Sequence, residues 1–270
     1  MTEREMMESE AYRRVLASPG LDLPREELAA WLHDRWEPRA RWIRLDLAHA
    51  RAQRRCLTSW VELPESGIRL FLANERDWEE PARSLGWLKG WGFARGFVSF
   101  AGMDAAVFLE RAEQLFSIFP VRHLGLQGDA HAIAELAACP FVERLVGLSI
   151  RESSMGDGHV ELLASSPYIR NLRWLDLRCN RIGLSGFEAL AASPYLDSLI
   201  HVSLAENAAP DPVRVAGYDW TGAKVYVSDL PETGQQLEAK YGYKRWLHGA
   251  ELIYDYPPPF EAFDGDEPAG

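Results

Sequence analysis

Few residues in this sequence have the types and spacing that catalysis or metal binding requires. His131 and Glu135 are one helical turn apart, and Glu161 follows His159 by two positions, but neither pair has a third ligand at a metal-site spacing. Cys179 is a candidate nucleophile, yet its sequence context does not provide the thiolate-stabilising environment that a reactive cysteine needs. The motifs H-E-x-x-H, G-x-S-x-G and paired C-x-x-C do not occur. We therefore expect no catalytic residue, no metal and no cofactor.

Two glycine-containing segments could be mistaken for ligand-binding loops. Segment 86–92 (GWLKGWG) lacks the glycine spacing that places backbone amides around a phosphate, and we interpret it as a turn-rich cap before the first repeat. Segment 156–159 (GDGH) aligns with 183–186 (GLSG) in a repeat of the chain. It is therefore predicted to be a turn and a helix start, not a cation-binding loop.

Composition and charge indicate a folded, soluble protein. An apolar share of 47% and ten tryptophans favour a packed core, and a net charge of −11 disfavours binding to nucleic acid or to an anionic membrane. The charged N-terminal segment lacks the apolar core of a signal peptide, and no run of about 18 apolar residues predicts a membrane span. Three scattered cysteines give no disulfide framework. We expect a cytoplasmic location.

A stretch of 27 residues occurs twice in succession and organises the rest of the chain. Residues 145–171 (LVGLSIRESSMGDGHVELLASSPYIRN) align with residues 172–198 (LRWLDLRCNRIGLSGFEALAASPYLDS). The alignment places Leu148 on Leu175, Ile150 on Leu177, Glu161 on Glu188, and Ser166-Pro167-Tyr168 on Ser193-Pro194-Tyr195. A fixed period in this range is typical of a solenoid, in which each repeat packs on the next.

The second copy contains the pattern L-x-x-L-x-L-x-x-N, at Leu172, Leu175, Leu177 and Asn180, and resembles a leucine-rich repeat. A strand plus a full helix in each repeat resembles the ribonuclease-inhibitor subclass. The resemblance implies an α/β leucine-rich-repeat solenoid, a short right-handed horseshoe of parallel strands and helices. Predicted strand pairs are Val98/Phe100, Leu124/Leu126, Leu148/Ile150, Leu175/Leu177 and Val202/Leu204. Predicted helices are 105–117, 130–138, 158–165 and 185–192.

The first 55 residues predict a small α-helical bundle. Its three helices are expected within 2–17, from Pro24 and around Trp42–Ala50. The motifs W-L-x-x-R-x-x-P at 31–38 and W-I-R-L at 42–45 resemble the bacterial repeat-companion domain, a short module that precedes leucine-rich repeats. The chain departs from that family at Arg41, where the family usually has an acidic residue.

These patterns divide the chain into four predicted segments. They are an N-terminal helical companion domain (1–85), the leucine-rich repeats with their N-terminal cap (86–215), a C-terminal cap (216–256) and a disordered acidic tail (257–270). Within them, the sequence also predicts a helical stretch near 68–79, a final strand at 224–228 and a short helix at 232–240. The tail is assigned to disorder because residues 251–270 contain six acidic and no basic residues.

The predicted binding surface is the concave face of the repeat sheet. Residues between the inward leucines point out of that face, and the candidate partner-binding residues among them are His123, Gln127, Arg151, Trp174, Asp176, Arg178 and His201. Trp174 would anchor a protein partner, and Arg151 and Arg178 would offer paired cations to a carboxylate. The alternative is that Trp174 covers a neighbouring element of its own chain.

We therefore expect a non-enzymatic protein–protein interaction module with an unidentified protein partner, and no nucleic-acid, membrane or small-molecule ligand. One alternative is activation of a small GTPase through Arg178 or Arg181. Another is binding of an acidic partner through the arginine-rich helix 39–55, where six arginines accompany one aspartate. A simpler interpretation of that helix is a solvated face whose arginines meet acidic groups of the same chain.

Overall fold

The computed structural model describes residues 1–55, 63–213, 216–218, 224–226 and 229–248. This part of the chain is mixed α/β. Its helices are α1 (Glu3–Met7), α2 (Glu10–Ala17), α3 (Leu23–Leu32), α4 (Glu37–Arg55), α5 (Glu65–Ser84), α6 (Ala105–Ile118), α7 (Ala130–Glu135), α8 (Asp157–Ala164), α9 (Leu184–Ala192) and α10 (Glu232–Tyr241). Its strands are β1 (Gly90–Ala94), β2 (Phe97–Asp104), β3 (His123–Gln127), β4 (Gly147–Ile150), β5 (Trp174–Asp176), β6 (His201–Ser203), β7 (Ala216–Tyr218) and β8 (Lys224–Tyr226).

Strands β1 to β6 form one sheet in sequence order, and β7 pairs with β8 in a separate two-stranded sheet. β1 runs antiparallel to β2, whereas β4, β5 and β6 are parallel. Leu148 lies opposite Leu175, which lies opposite Val202, so the paired residues are 27 apart in the chain. All five strands expected from the repeat pattern are present.

The described residues form two compact units. The first contains residues 1–103 and 111–123, and the second contains residues 104–110 and those from 124 onward. Residues 86–103, predicted to begin the repeats, thus belong with the N-terminal helices in the first unit. The predicted domain boundaries themselves remain predictions.

Two local predictions for the first unit differ in part from the structure. The segment 2–17 is not one helix, because Ser9 begins a new one: its Oγ accepts the amide of Tyr12 at 3.1 Å and caps α2. The segment 86–92 is not only turns, since its end enters β1, which pairs with β2 with a register shift between Gly92 and Phe93. Aromatic residues on short, glycine-rich strands suit such an antiparallel hairpin.

The core of the first unit contains charged side chains that helical periodicity does not predict. Arg39 is buried, donates to Glu3 Oε1 at 2.8 Å, and places its guanidinium 4.9 Å from the ring centroids of both Trp78 and Phe97. Burial raises the pKa of the Glu3 carboxyl, and Arg39 partly offsets that effect. The ion pair therefore joins α1 to α4 in an environment where either charge alone would be costly.

The turns of the second unit repeat at the same interval as its strands. Glu152, Cys179 and Glu206 adopt left-handed backbone conformations, with φ of +53°, +58° and +60°. Each stands 27 residues from the next and directly precedes Ser153, Asn180 or Asn207. Left-handed backbone is costly for non-glycine residues, so its recurrence indicates that one turn geometry is imposed on all three positions.

Asn180 joins two successive repeats through hydrogen bonds to the backbone. Its Nδ2 donates to the carbonyls of Ile150 at 2.8 Å and Leu177 at 2.9 Å. Its Oδ1 accepts from the amides of Ser153 and Met155, both at 3.1 Å. The buried amide thus satisfies backbone groups on both sides of the turn.

Asn207 and two serines repeat this pattern of backbone contacts. Asn207 Nδ2 donates to the carbonyls of Leu177 at 3.0 Å and Leu204 at 2.8 Å. On the helical side, Ser166 Oγ donates to the carbonyl of Ala137, and Ser193 Oγ to that of Ala164, both at 2.6 Å. The sequence repeat is therefore also a repeat of polar contacts.

The remaining predictions for the second unit have mixed outcomes. Leu175 and Leu177 are fully buried, as predicted, and α10 matches the helix expected at 232–240. The predicted final strand is described only at Lys224–Tyr226, where it pairs with β7, and the predicted disordered tail lies outside the described residues. Within those residues, no helix is both long and apolar enough to cross a membrane.

Replacing Asn180 should reveal how much the turn contributes to stability. Asn180→Ala leaves buried amides and carbonyls without partners and should lower the free energy of unfolding by about 3 kcal/mol. Asn171→Ala is the matched control, since Asn171 is exposed and donates one hydrogen bond, to the Glu143 carbonyl. It should change stability by less than about 0.5 kcal/mol. Urea denaturation followed by circular dichroism measures both, and equal losses would contradict the role of the buried amide.

Candidate functional site

The predicted binding face falls into three columns, one for each outward position along the strands. The first is the most covered: Phe97, His123, Gly147 and Trp174 are buried, and His201 is half-buried. The second contains buried and half-buried residues: Ser99, Gly125, Ser149, Asp176 and Ser203. The third is the most open in the repeats, with Gln127 exposed and Arg151, Arg178 and Ala205 half-buried. Accessible surface is thus concentrated at the carboxyl ends of the strands.

Trp174 is not an exposed anchor, because only 5% of its surface is accessible. On β5 it lies in register with Gly147 of β4 and His201 of β6. Glycine at position 147 has no side chain, which leaves room for an indole beside it. Of the two interpretations left open by the sequence, burial within the chain is the one observed. His123 is covered still more completely, at 1%.

In β2, the corresponding residues face the N-terminal helices of the first unit. Phe97 belongs to a buried cluster with Tyr12, and their ring centroids are 5.2 Å apart. Ser99 and Ala101 are also buried. The outward positions of β2 therefore offer no open part of the predicted surface.

Arg151, Asp176 and Arg178 form a three-residue charge cluster, named here the Asp176 cluster. Arg178 binds Asp176 through two side-chain contacts, Nε to Oδ1 at 3.0 Å and Nη2 to Oδ2 at 2.7 Å. Its backbone amide also donates to Oδ1, at 3.1 Å. Arg151 Nε lies 3.8 Å from Oδ2 on the other side. The paired cations predicted for a partner's carboxylate are therefore already bound to a carboxylate of this chain.

The Asp176 cluster carries one net positive charge and remains accessible at its edges. The Asp176 side chain is 2% exposed, those of Arg178 and Arg151 20% and 28%. Gln127 is the exposed neighbour on β3, and His201 contributes an imidazole whose Nε2 lies 3.0 Å from Ser203 Oγ. Chemically, the face can exchange hydrogen bonds and present partly shielded positive charge.

The other candidates for chemistry have structural partners. His131 is exposed and pairs with Glu135 at 3.2 Å, while His159 Nδ1 accepts the amide of Gly156 at the start of α8. Burial and the nearby Glu206 carboxylate raise the pKa of the Cys179 thiol, which opposes thiolate formation at neutral pH. In the part of the chain that the structure describes, no three His, Cys, Asp or Glu residues are grouped as metal ligands.

The two alternative arginine sites differ in how their arginines are held. In helix 39–55, Arg39 pairs with Glu3, and Arg51 with Asp22 and Glu26. These contacts agree with the simpler interpretation of this helix, in which its arginines pair with acidic residues of the same chain. Of the two arginines predicted for GTPase activation, Arg178 is bound to Asp176, whereas Arg181 is exposed in the following turn.

Sequence reasoning missed the internal role of Asp176. Alternation along β5 places Asp176 on the same face as the two arginines, and that signal was available in the sequence. Whether a carboxylate there faces a partner or is covered by its own arginines depends on side-chain conformations, which the period of a strand does not determine.

No protein-family model, curated protein or solved structure matches this chain. The companion-domain and leucine-rich-repeat resemblances consequently remain predictions.

The Asp176 cluster gives a direct test of its structural role. Asp176→Leu leaves two largely covered guanidinium groups without their carboxylate and should lower the free energy of unfolding by about 2 kcal/mol. Adding Arg178→Leu should restore part of that loss, because it removes one of the two guanidinium charges and leaves only that of Arg151. Thermal and urea denaturation of both variants measure the effect. If the double variant is no more stable than Asp176→Leu, the pairing is not the cause.

Proposed function

We propose that residues 96–207 form a short leucine-rich-repeat solenoid of the ribonuclease-inhibitor type, and that the protein is a non-enzymatic interaction module. The contacts of Asn180 carry this proposal. Asn180 and Asn207, 27 residues apart, each donate to a backbone carbonyl of the preceding repeat, and this shared contact explains why the two turns keep their spacing. Stacked repeats of this kind present a continuous sheet face to a partner.

The partner of this proposal is a protein that contacts the open, carboxyl-terminal edge of the sheet face. Gln127, Arg151 and Arg178 are accessible there, whereas His201 is half-buried at the amino end of β6. His123, Trp174 and Asp176 are buried. The net positive charge of the Asp176 cluster favours an acidic partner surface, in a chain whose own net charge is −11. Local charge complementarity of this kind would select partners despite the overall repulsion.

The proposal includes a cytoplasmic setting and a helical companion domain before the repeats. Cys139 and Cys179 are both free thiols in the structure, which suits a reducing compartment. The helices of the first unit cover one face of β2 through Phe97. Such a cover is what the first strand of a solenoid needs, because an uncovered end exposes its core.

Affinity capture with quantitative mass spectrometry tests this function. The double variant Gln127→Ala/Arg151→Gln should capture clearly less of the protein partner than the wild type does, with binding weakened by about 1 kcal/mol. Binding should also decrease at higher salt, since Arg151 is 28% exposed and its contacts are screened by ions.

Arg170→Gln is the matched control for the charge change. Arg170 is 55% exposed and pairs with Glu143, but it follows the helical side of a repeat and is not on the sheet face. It should retain the partner at wild-type levels. If Arg170→Gln loses the partner while Gln127→Ala/Arg151→Gln keeps it, the binding surface is on the helical side.

A further inference from the structure

A pocket of about 370 Å³ lies within the first unit, where α4, α5 and β1 meet. Four aromatic rings and two carboxylates dominate its lining: Trp42, Phe71, Trp91, Phe93, Asp46 and Glu79. Its volume falls within the lower range of small-ligand sites. None of these lining residues belongs to the second unit, so the pocket's function does not depend on the one proposed above.

Three elements bring these residue types together. On α4, Trp42 and Asp46 are four residues apart and therefore share one helix face. Helix α5 contributes Phe71 and Glu79, and β1 contributes a further pair of aromatic rings. Trp91, from the segment predicted as a cap, thus lies with the aromatic rings of α4 and α5 around a recess that also contains two carboxyl groups.

Three of the four rings, those of Trp42, Phe71 and Phe93, pack against one another through Phe71. The centroid of Phe71 is 5.0 Å from that of Trp42 and 5.2 Å from that of Phe93, the latter in an edge-to-face arrangement. The Trp42 ring also stacks on the Trp78 ring, with a centroid distance of 5.8 Å. Because these contacts fix the rings, a ligand would meet a preformed aromatic surface at little entropic cost.

Two observations indicate that the pocket favours a cation. The guanidinium of Arg83 lies 5.9 Å from the Trp91 ring centroid and donates to Glu79 at 2.7 Å. Trp91 and Glu79 thus already bind a cationic group, that of Arg83. Asp46 accepts the Gly96 amide at 2.7 Å, and burial raises the pKa of its carboxyl. A bound cation would stabilise the ionised form of that acid. Among the described residues that line the pocket, none is lysine or arginine, and its histidine, His49, lies 4.0 Å from the Asp46 carboxylate.

A methylated ammonium matches this lining better than other cations. Aromatic faces attract it through their quadrupoles, and its methyl groups pack against the rings. A primary ammonium is more strongly hydrated and would lose more hydration free energy on entering an aromatic pocket. A guanidinium is planar and needs a fork of hydrogen-bond acceptors, whereas Glu79 is already bonded to Arg83.

We propose that the pocket formed by Trp42, Phe71, Trp91 and Phe93, with Asp46 and Glu79, binds a methylated ammonium group. Such a group occurs on small choline-like molecules and on methylated lysine side chains. The two sources share the same head group and differ in the chain attached to its nitrogen.

Titration calorimetry and ligand-observed NMR on the full chain test this site with defined probes. Tetramethylammonium and choline should bind saturably, whereas 3,3-dimethylbutanol, the neutral isostere of choline, should bind about tenfold more weakly or not at all. Comparing choline with N-acetyl-trimethyllysine amide distinguishes the sources, because the natural one should bind more tightly. Equal binding of the neutral isostere, or no saturable binding of any methylated ammonium, would overturn the proposal.

Substitutions locate the binding. Trp91→Ala should weaken tetramethylammonium binding about tenfold, and Glu79→Gln should weaken it severalfold while leaving the binding of the neutral isostere unchanged. Trp87→Ala is the matched control, since Trp87 is a half-buried tryptophan of the same segment that does not line the pocket. Melting temperatures identify any variant that fails to fold. Full binding by a folded Trp91→Ala variant would place the cation elsewhere.

Discussion

The second unit depends on side-chain amides at its turns, above all on the buried amide of Asn180. A turn that packs against the neighbouring copy of the sequence repeat buries backbone groups that neither the strand nor the helix can pair, and each unpaired group would be costly. Asn180 satisfies such groups in its own turn and in the turn of the preceding repeat. Asn180 donates to the carbonyl of Ile150 in the preceding strand and to that of Leu177 in its own repeat. These two contacts fix the distance between consecutive repeats and the backbone path within one repeat. The left-handed residues before Ser153, Asn180 and Asn207 result from that constraint.

The elements of the second unit could be predicted because every repeat supplies independent evidence for the same strand and helix. Observed bounds such as Asp157–Ala164 and Leu184–Ala192 lie within one residue of the predicted 158–165 and 185–192. The first unit lacks that redundancy. Ser9 divides an amphipathic stretch through one capping contact, and β1 exists only because β2 lies beside it. Neither event changes the apolar period, so neither leaves a clear pattern in the sequence.

For the candidate site, alternation along a strand predicts which side a residue takes but not what covers that side. The outward columns were predicted as one open face. Phe97 is instead covered by helices from a distant part of the sequence, and Trp174 is buried among its own strands. Asp176 illustrates a second limit. Its pairing with Arg178 depends on side-chain conformations, and an exposed acid or a covered one would leave the same sequence pattern.

In both units, arginines near the candidate surfaces are paired with carboxylates of the chain itself. This pairing limits what a partner's carboxylate could gain by binding there. Arg39 is paired with Glu3 and Arg178 with Asp176, so much of the positive charge near the candidate surfaces is already balanced internally. A partner's carboxylate at the Asp176 cluster therefore gains only from the remaining single charge, chiefly through Arg151. Exposed ion pairs of that kind contribute little to affinity. Tight binding to the sheet face would then have to come from shape and apolar contact, with charge acting on the encounter rate and on the choice of partner.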